Sequence, residues 1–290
     1  MSKKYLVLII AFTFLVLPQA FAHDISHPGS YEYYDWNTRT DRYSLPAGVF
    51  EQTPFPITET TAEYSIRNDE SPQGKTYYLG SKYYVDGGYR GGNSDGGWLR
   101  PWTSVTAALS GSGTGNSTIV IRGGHDDFNG IYYGTYSLAN KAGIDDTHRF
   151  MLTGYGQERP ILDGLSGTES VIRRSSTTPR DAFITVQRLR LQNTQASCVR
   201  LGYDVTGDKR DNYFSVIDVH FYDCGNMTND FGTSGSSYYL NSDNGWIFHS
   251  TSEHTFGHGF KIGDGSSHSI TEWSIAKDIG WWPGIPLVFK

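Results

Sequence analysis

Cysteine is nearly absent from this chain, with two residues in 290, Cys198 and Cys224. Neither belongs to a Cys/His spacing of zinc-site type, which excludes a structural zinc module. Charged residues are also sparse, at 19%. Together with 34 glycines and 20 tyrosines, that composition excludes a helical bundle or a disordered chain and suits a turn-rich, aromatic-rich β protein. Long apolar runs are limited to one, the 13 residues from Tyr5 to Leu17, too short to cross a bilayer. Met1-Ser2-Lys3-Lys4 makes a basic start before it, and Ala20-Phe21-Ala22 fits an A-x-A cleavage site after it. Residues 1–22 therefore read as a secretory signal peptide cut before His23. No cysteine follows at the cleavage point to carry a lipid, so the expectation is a secreted or periplasmic protein with no membrane partner. Removing Lys3 and Lys4 leaves 22 basic residues against 30 acidic, a net of −8, which argues against nucleic acid. An acidic polysaccharide stays open, because it needs only a local basic strip or a bridging cation.

What is present is a repeat. Ile184 to Asn193, Ser215 to Asp223, Ile247 to His254 and Ile270 to Lys277 align as short alternating runs. The matched positions Asn193, Asp223, His254 and Lys277 are 30, 31 and 23 residues apart. Periods of this size imply a solenoid in which each coil buries its neighbour's face. Short β-branched runs make it a β-solenoid. A second set, Val199-Arg200-Leu201, Tyr238-Tyr239-Leu240 and Phe260-Lys261-Ile262, reads apolar, outward, apolar. Alternation sends the flanking residues inward. If the coils stack in order, Arg200, Tyr239 and Lys261 form one outward column with ~4.8 Å per step. Ile285-Pro286-Leu287 would take the same place in the next coil. Such a column suits an anionic or sugar ligand, although solvent-facing positions are also polar for no functional reason.

Residues 23–81 form a leader or cap with no alignable repeat, and 82–290 form the solenoid domain. Loops from Asp204 to Asn212 and Gly225 to Gly235 lengthen two coils and suit the walls of a groove. Trp281 to Lys290 is apolar and would leave an uncovered edge, so a truncated chain or a packing partner is expected there. The two cysteines would share an oxidising compartment and could pair. The alignment sets them four positions apart around the coil rather than stacked, and the pairing stays open.

From Lys82 the order of segments resembles the entry of secreted right-handed parallel β-helix proteins, the superfamily that includes pectate lyases. The resemblance rests on Tyr83-Tyr84-Val85-Asp86, Asn93-Ser94-Asp95-Gly96-Gly97, Pro101-Trp102-Thr103-Ser104-Val105 and Ser117 to Gly124. It implies an all-β right-handed parallel β-helix with a short capping helix from Trp102 to Leu109. Farther on, His258-Gly259-Phe260-Lys261-Ile262-Gly263 resembles the Gly-Phe-Lys-Leu-Gly segment of family-9 polysaccharide lyases. Those are calcium-assisted pectate lyases in which that lysine is the base.

The chemistry has matching demands. β-Elimination on a uronate removes the proton beside a carboxylate, so a cation must neutralise the carboxylate and a base must take the proton. The resemblance assigns Lys261 as base. Arg200 would pair with the substrate carboxylate, and Tyr239 would orient a sugar or protonate the leaving oxygen. His254 and His258 flank the wall as substrate-binding groups or an alternative base. Ca2+ would draw on Asp223, Asp243 and Asp264, although the dense aspartate cluster of the lyase family is lacking. Two rivals remain. A polygalacturonase-type hydrolase would need two or three outward carboxylates on adjacent coils. A non-catalytic carbohydrate-binding or surface solenoid needs no chemistry at all.

Overall fold

The computed structural model describes residues 80–277 and 279, apart from 125–127, 156–157, 176–180, 204–211, 226–235, 241, 264–267 and 273. The expected signal peptide and nearly all of the leader lie outside the described residues. So do most of the two long loops, Asp264 and the apolar end.

The described residues form five consecutive three-strand coils. An entry strand, β1 (Ser81–Val85), leads to helix α1 (Val105–Gly111). The first coil is β2 (Ser117–Ile121), β3 (Ile131–Tyr133) and β4 (Tyr136–Ser137). The second is β5 (Phe150–Gly154), β6 (Ile161–Gly167) and β7 (Ile172–Ser175). The third is β8 (Asp181–Gln187), β9 (Arg190–Thr194) and β10 (Val199–Tyr203). β11 (Asn212–Ile217), β12 (His220–Cys224) and β13 (Ser236–Leu240) make the fourth. β14 (Trp246–Phe248), β15 (Thr251–Glu253) and β16 (His258–Ile262) make the fifth, and β17 (Ile270–Glu272) and β18 (Ile275–Lys277) begin another.

Every third strand pairs in parallel with its counterpart one coil away. The result is a first sheet of β1-β2-β5-β8-β11-β14-β17, a second of β3-β6-β9-β12-β15-β18 and a third of β4-β7-β10-β13-β16. This is a parallel β-helix. Its interior is filled by stacked apolar residues: Ile119, Leu152, Val186 and Val216 from the first sheet, Leu162, Leu191 and Phe221 from the second, Ile172, Val199 and Leu201 from the third. All are fully buried, and each such side chain stabilises the fold by about 1.5–3 kcal/mol.

The coil turns at columns of left-handed residues. Arg188, Asp218 and His249 have φ of 54°, 56° and 48° between the first and second sheets. Asn193, Asp223 and His254 have φ of 59°, 52° and 51° on leaving the second sheet. Phe183, Tyr213, Asn244 and His268 form a third such column before the first sheet. Asn, Asp and His tolerate this region better than other non-glycine residues, and their recurrence is what makes the repeat visible. At Gly154 the corner is tighter still, because a Cβ there would lie 2.2 Å from the Arg188 carbonyl oxygen.

Three expectations are corrected. The capping helix begins at Val105 rather than Trp102, because the Ser104 hydroxyl accepts a hydrogen bond from the Ala107 N–H and caps the first turn. The preceding Trp102 instead bridges to Val85. The last repeat interval is 24 residues, not 23, since Trp246 pairs with Ile270 and Glu253 with Lys277. Ile247 pairs with Thr271 rather than Ile270, a shift of one residue, which in a strand exchanges the two faces. Finally, Ile262 is 39% exposed rather than fully inward, because β16 is the edge strand of the third sheet.

The cysteines pair. Cys224 is in register with Thr194, so Cys198 does lie four positions further round the coil. The chain folds back between Thr194 and Cys198, however, and brings the two Cα atoms to 5.5 Å in a disulfide. The bridge ties the third coil's entry into the third sheet to the fourth coil's exit from the second.

Candidate functional site

Arg200, Tyr239 and Lys261 occupy one register position on the adjacent strands β10, β13 and β16. Alternation determines which residues of these strands face outward. Val199 and Leu201 are buried on either side of a half-buried Arg200. Phe260 packs against the core beside Lys261, which is itself half-buried. Tyr239 is placed by its backbone register.

The column is longer than the apolar-outward-apolar pattern suggested. Arg173 on β7 pairs with Arg200, and Ser137 on β4 pairs with Arg173. The pattern missed Arg173 because the residue after it is Arg174 rather than an apolar one. Arg174 is fully buried and donates to the carbonyl oxygens of Leu138 at 2.6 Å, Ala139 at 2.9 Å and Lys141 at 2.6 Å. A guanidinium bonded through one nitrogen to three carbonyls occupies an interior place without an apolar side chain. Arg173 is exposed and ion-paired with Glu169 four residues earlier. The third sheet therefore carries Ser, Arg, Arg, Tyr and Lys in order, a cationic strip on a chain whose net charge is negative.

The other nominated residues fall around this strip. His254 stands in the corner column that precedes β16, its ring 5.2 Å from that of Tyr222. His258 is exposed and opens β16, with the strand parity of Phe260 rather than Lys261. Asp223 is exposed in the same corner column as His254. Asp243 lies in the next corner, before β14, where its carbonyl accepts from the Tyr213 N–H at 3.1 Å and its own N–H donates to Asn212 Oδ1 at 3.2 Å. Strand β13 separates the two aspartates along the chain. Among the described residues no group of three His, Cys, Asp or Glu could hold a metal ion.

A second ionisable group lies on the outer face of the second sheet. His220 is fully buried and its Nε2 lies 3.2 Å from Glu253 Oε2, while Lys277 Nζ lies 2.5 Å from Glu253 Oε1. Burial pushes the imidazole down to about 3, and the hydrogen bond with His220 holds the Glu253 carboxyl at about 2. A neutral imidazole donating to a carboxylate satisfies both directions. Arg190 lies over the Tyr222 ring at 4.5 Å and pairs with His220 in the ladder, while Tyr222 pairs with Glu253. Asp163 shares the Glu253 column and acts as a turn former, accepting from the Leu165 N–H at 2.8 Å, Gln192 Nε2 at 2.7 Å and Asn193 Nδ2 at 3.0 Å. Gln192 and Tyr222 stand between Asp163 and Glu253. Three strand steps make about 14 Å, beyond the ~9.5 Å limit for an acid–base pair of glycoside hydrolysis.

No protein-family model matches the chain, and no curated protein matches it. Among solved structures it is similar to the pectate lyase Pel9A, at 14% identity and a TM-score of 0.48, over 71% of this chain and 56% of that one. It is also similar to a pectin methylesterase mutant crystallised with a hexasaccharide, at 11% identity and a TM-score of 0.34, over 70% of this chain and 67% of that one. The chain thus spans little more than half the length of Pel9A.

Proposed function

We propose that this is a secreted carbohydrate-active β-helix protein, and that it cleaves a uronate-containing polysaccharide by β-elimination on the third sheet. The observation that carries the reading is the common register of Arg200, Tyr239 and Lys261 on adjacent strands. Arg200 pairs with the substrate carboxylate and stabilises the charge that develops beside it. Lys261 takes the proton next to that carboxylate. The electron pair forms the new double bond as the glycosidic carbon–oxygen bond breaks, and Tyr239 supplies the proton to the leaving oxygen. The local resemblance of His258 to Gly263 to the lyase segment points to the same base.

Calcium belongs to the proposal only as the neutraliser that resemblance implies. The described carboxylates do not assemble a site for it, with Asp223 and Asp243 at different corners and Asp264 outside the described residues. No step above is routed through the ion.

The test is incubation with polygalacturonate and alginate, with and without Ca2+, following the ultraviolet absorbance of the unsaturated product. The expected result is absorbance that grows with time and is abolished by Lys261→Ala, with an unchanged circular dichroism spectrum. Elimination that survives Lys261→Ala removes this lysine from the mechanism. New reducing ends without absorbance indicate hydrolysis. Binding without either signal indicates the non-catalytic solenoid.

A further inference from the structure

Arg173 extends the cationic strip on the side of Arg200 away from Lys261. Successive parallel strands are ~4.8 Å apart, so Arg173 stands three strand steps, about 14 Å, from Lys261 in the register Arg173, Arg200, Tyr239, Lys261. One pyranose unit advances an extended glycan by a comparable distance per step. A uronate chain laid across the strands would therefore present a carboxylate near Arg173 while another sugar lies at Lys261.

Arg173 already holds a carboxylate. Its NH1 is ion-paired with Glu169, and both side chains are substantially exposed, at 45% and 56%. Arg174, by contrast, is buried and hydrogen-bonded to backbone carbonyls, so it anchors the strand while its neighbour faces solvent. An exposed ion pair is worth little by itself, and a ligand carboxylate can replace the Glu169 side chain at small cost.

We infer that Arg173 is a distal carboxylate-binding position for a uronate chain, occupied in the free protein by the Glu169 side chain, which the substrate displaces. The inference rests on the elimination reading for which bond is cleaved, but its own content is a length-dependent affinity. A chain that reaches Arg173 gains one charge-assisted contact, and a short one gains nothing.

The experiment is calorimetric titration of the whole protein with galacturonate dimers and hexamers. The variants are Arg173→Gln, Arg173→Lys and Glu169→Gln, with circular dichroism as the check on folding. Wild type should bind the hexamer more tightly than the dimer. Arg173→Gln should weaken the hexamer about tenfold and leave the dimer unchanged. Arg173→Lys should recover part of that loss. Glu169→Gln should tighten the hexamer about threefold by removing the competitor, an effect that a purely structural role for Arg173 would not produce.

Equal hexamer affinity in wild type and Arg173→Gln overturns the inference. So does equal weakening of dimer and hexamer, or failure of the hexamer to bind. The elimination assay on the same preparations separates the two readings. Arg173-dependent binding without elimination overturns the lyase reading alone. Elimination that needs Lys261, with Arg173-independent binding, overturns the distal position alone.

Discussion

Breaking the Cys198–Cys224 bridge should destabilise the solenoid by a calculable amount. The disulfide closes a segment with a sequence separation of 26, and the chain-entropy relation for that length gives about 3.5 kcal/mol at room temperature. Both sulfur-bearing residues are buried, at 0% and 1% exposure, so Cys198→Ala, Cys224→Ala and the double variant avoid leaving a buried hydroxyl. Either single variant already removes the cross-link, and the double should cost little more than one single. In a urea titration followed by tryptophan fluorescence, a slope of about 3 kcal/mol per molar converts the loss to a midpoint shift of about 1 M. Because the bridge joins the third coil to the fourth, the weakened variants should also open there first. Hydrogen exchange should show faster exchange in β10 and β12 than in β2 and β5. A midpoint shift below about 0.3 M, or single-variant costs that simply add, would refute the account.

Two further outcomes follow from buried charge. His220 has its folded value depressed to about 3 by burial, so the unfolded chain binds the extra proton between its ordinary value near 6.5 and that depressed one, and stability falls as pH falls through this window. The loss reaches about 3 kcal/mol at pH 4, and Glu253, also depressed, adds to it only below about pH 4.5. His220→Gln should flatten the stability profile between about pH 6.5 and 4, measured by urea titration at each pH, and an unchanged profile would rule out His220 as the source. Glu158 is buried against Arg122, with Nε at 3.0 Å from Oε2, and accepts the Gly123 N–H at 2.5 Å. Glu158→Gln removes a buried carboxylate from that guanidinium and should cost about 3–5 kcal/mol in the same titration. A cost below about 1 kcal/mol would show that solvent or another group neutralises Arg122.

The recurring alternation in Phe214 to Ile217, Val199 to Leu201 and their partners already implies stacked coils, because period-two apolar patterns at intervals near 30 residues cannot bury their faces singly. The same repeat placed Arg200, Tyr239 and Lys261 in one register, since each sits between residues of matching polarity. Asn193, Asp223 and His254 stood out in the alignment because the left-handed corner selects those side chains, and that selection operates locally. Local polarity could not reveal Arg173, whose neighbour Arg174 finds its partners in a loop of the preceding coil. Nor could it reveal the pairing of Cys198 with Cys224, which depends on how the chain doubles back at a corner. The buried His220–Glu253 pair and the placing of Asp223 and Asp243 at different corners likewise come from residues far apart in the chain. Period and alternation are properties of neighbouring residues, so the sequence alone determined the coil. Which side chains meet across coils depends on how corners bend and strands register, and those contacts exist only once the coils are stacked.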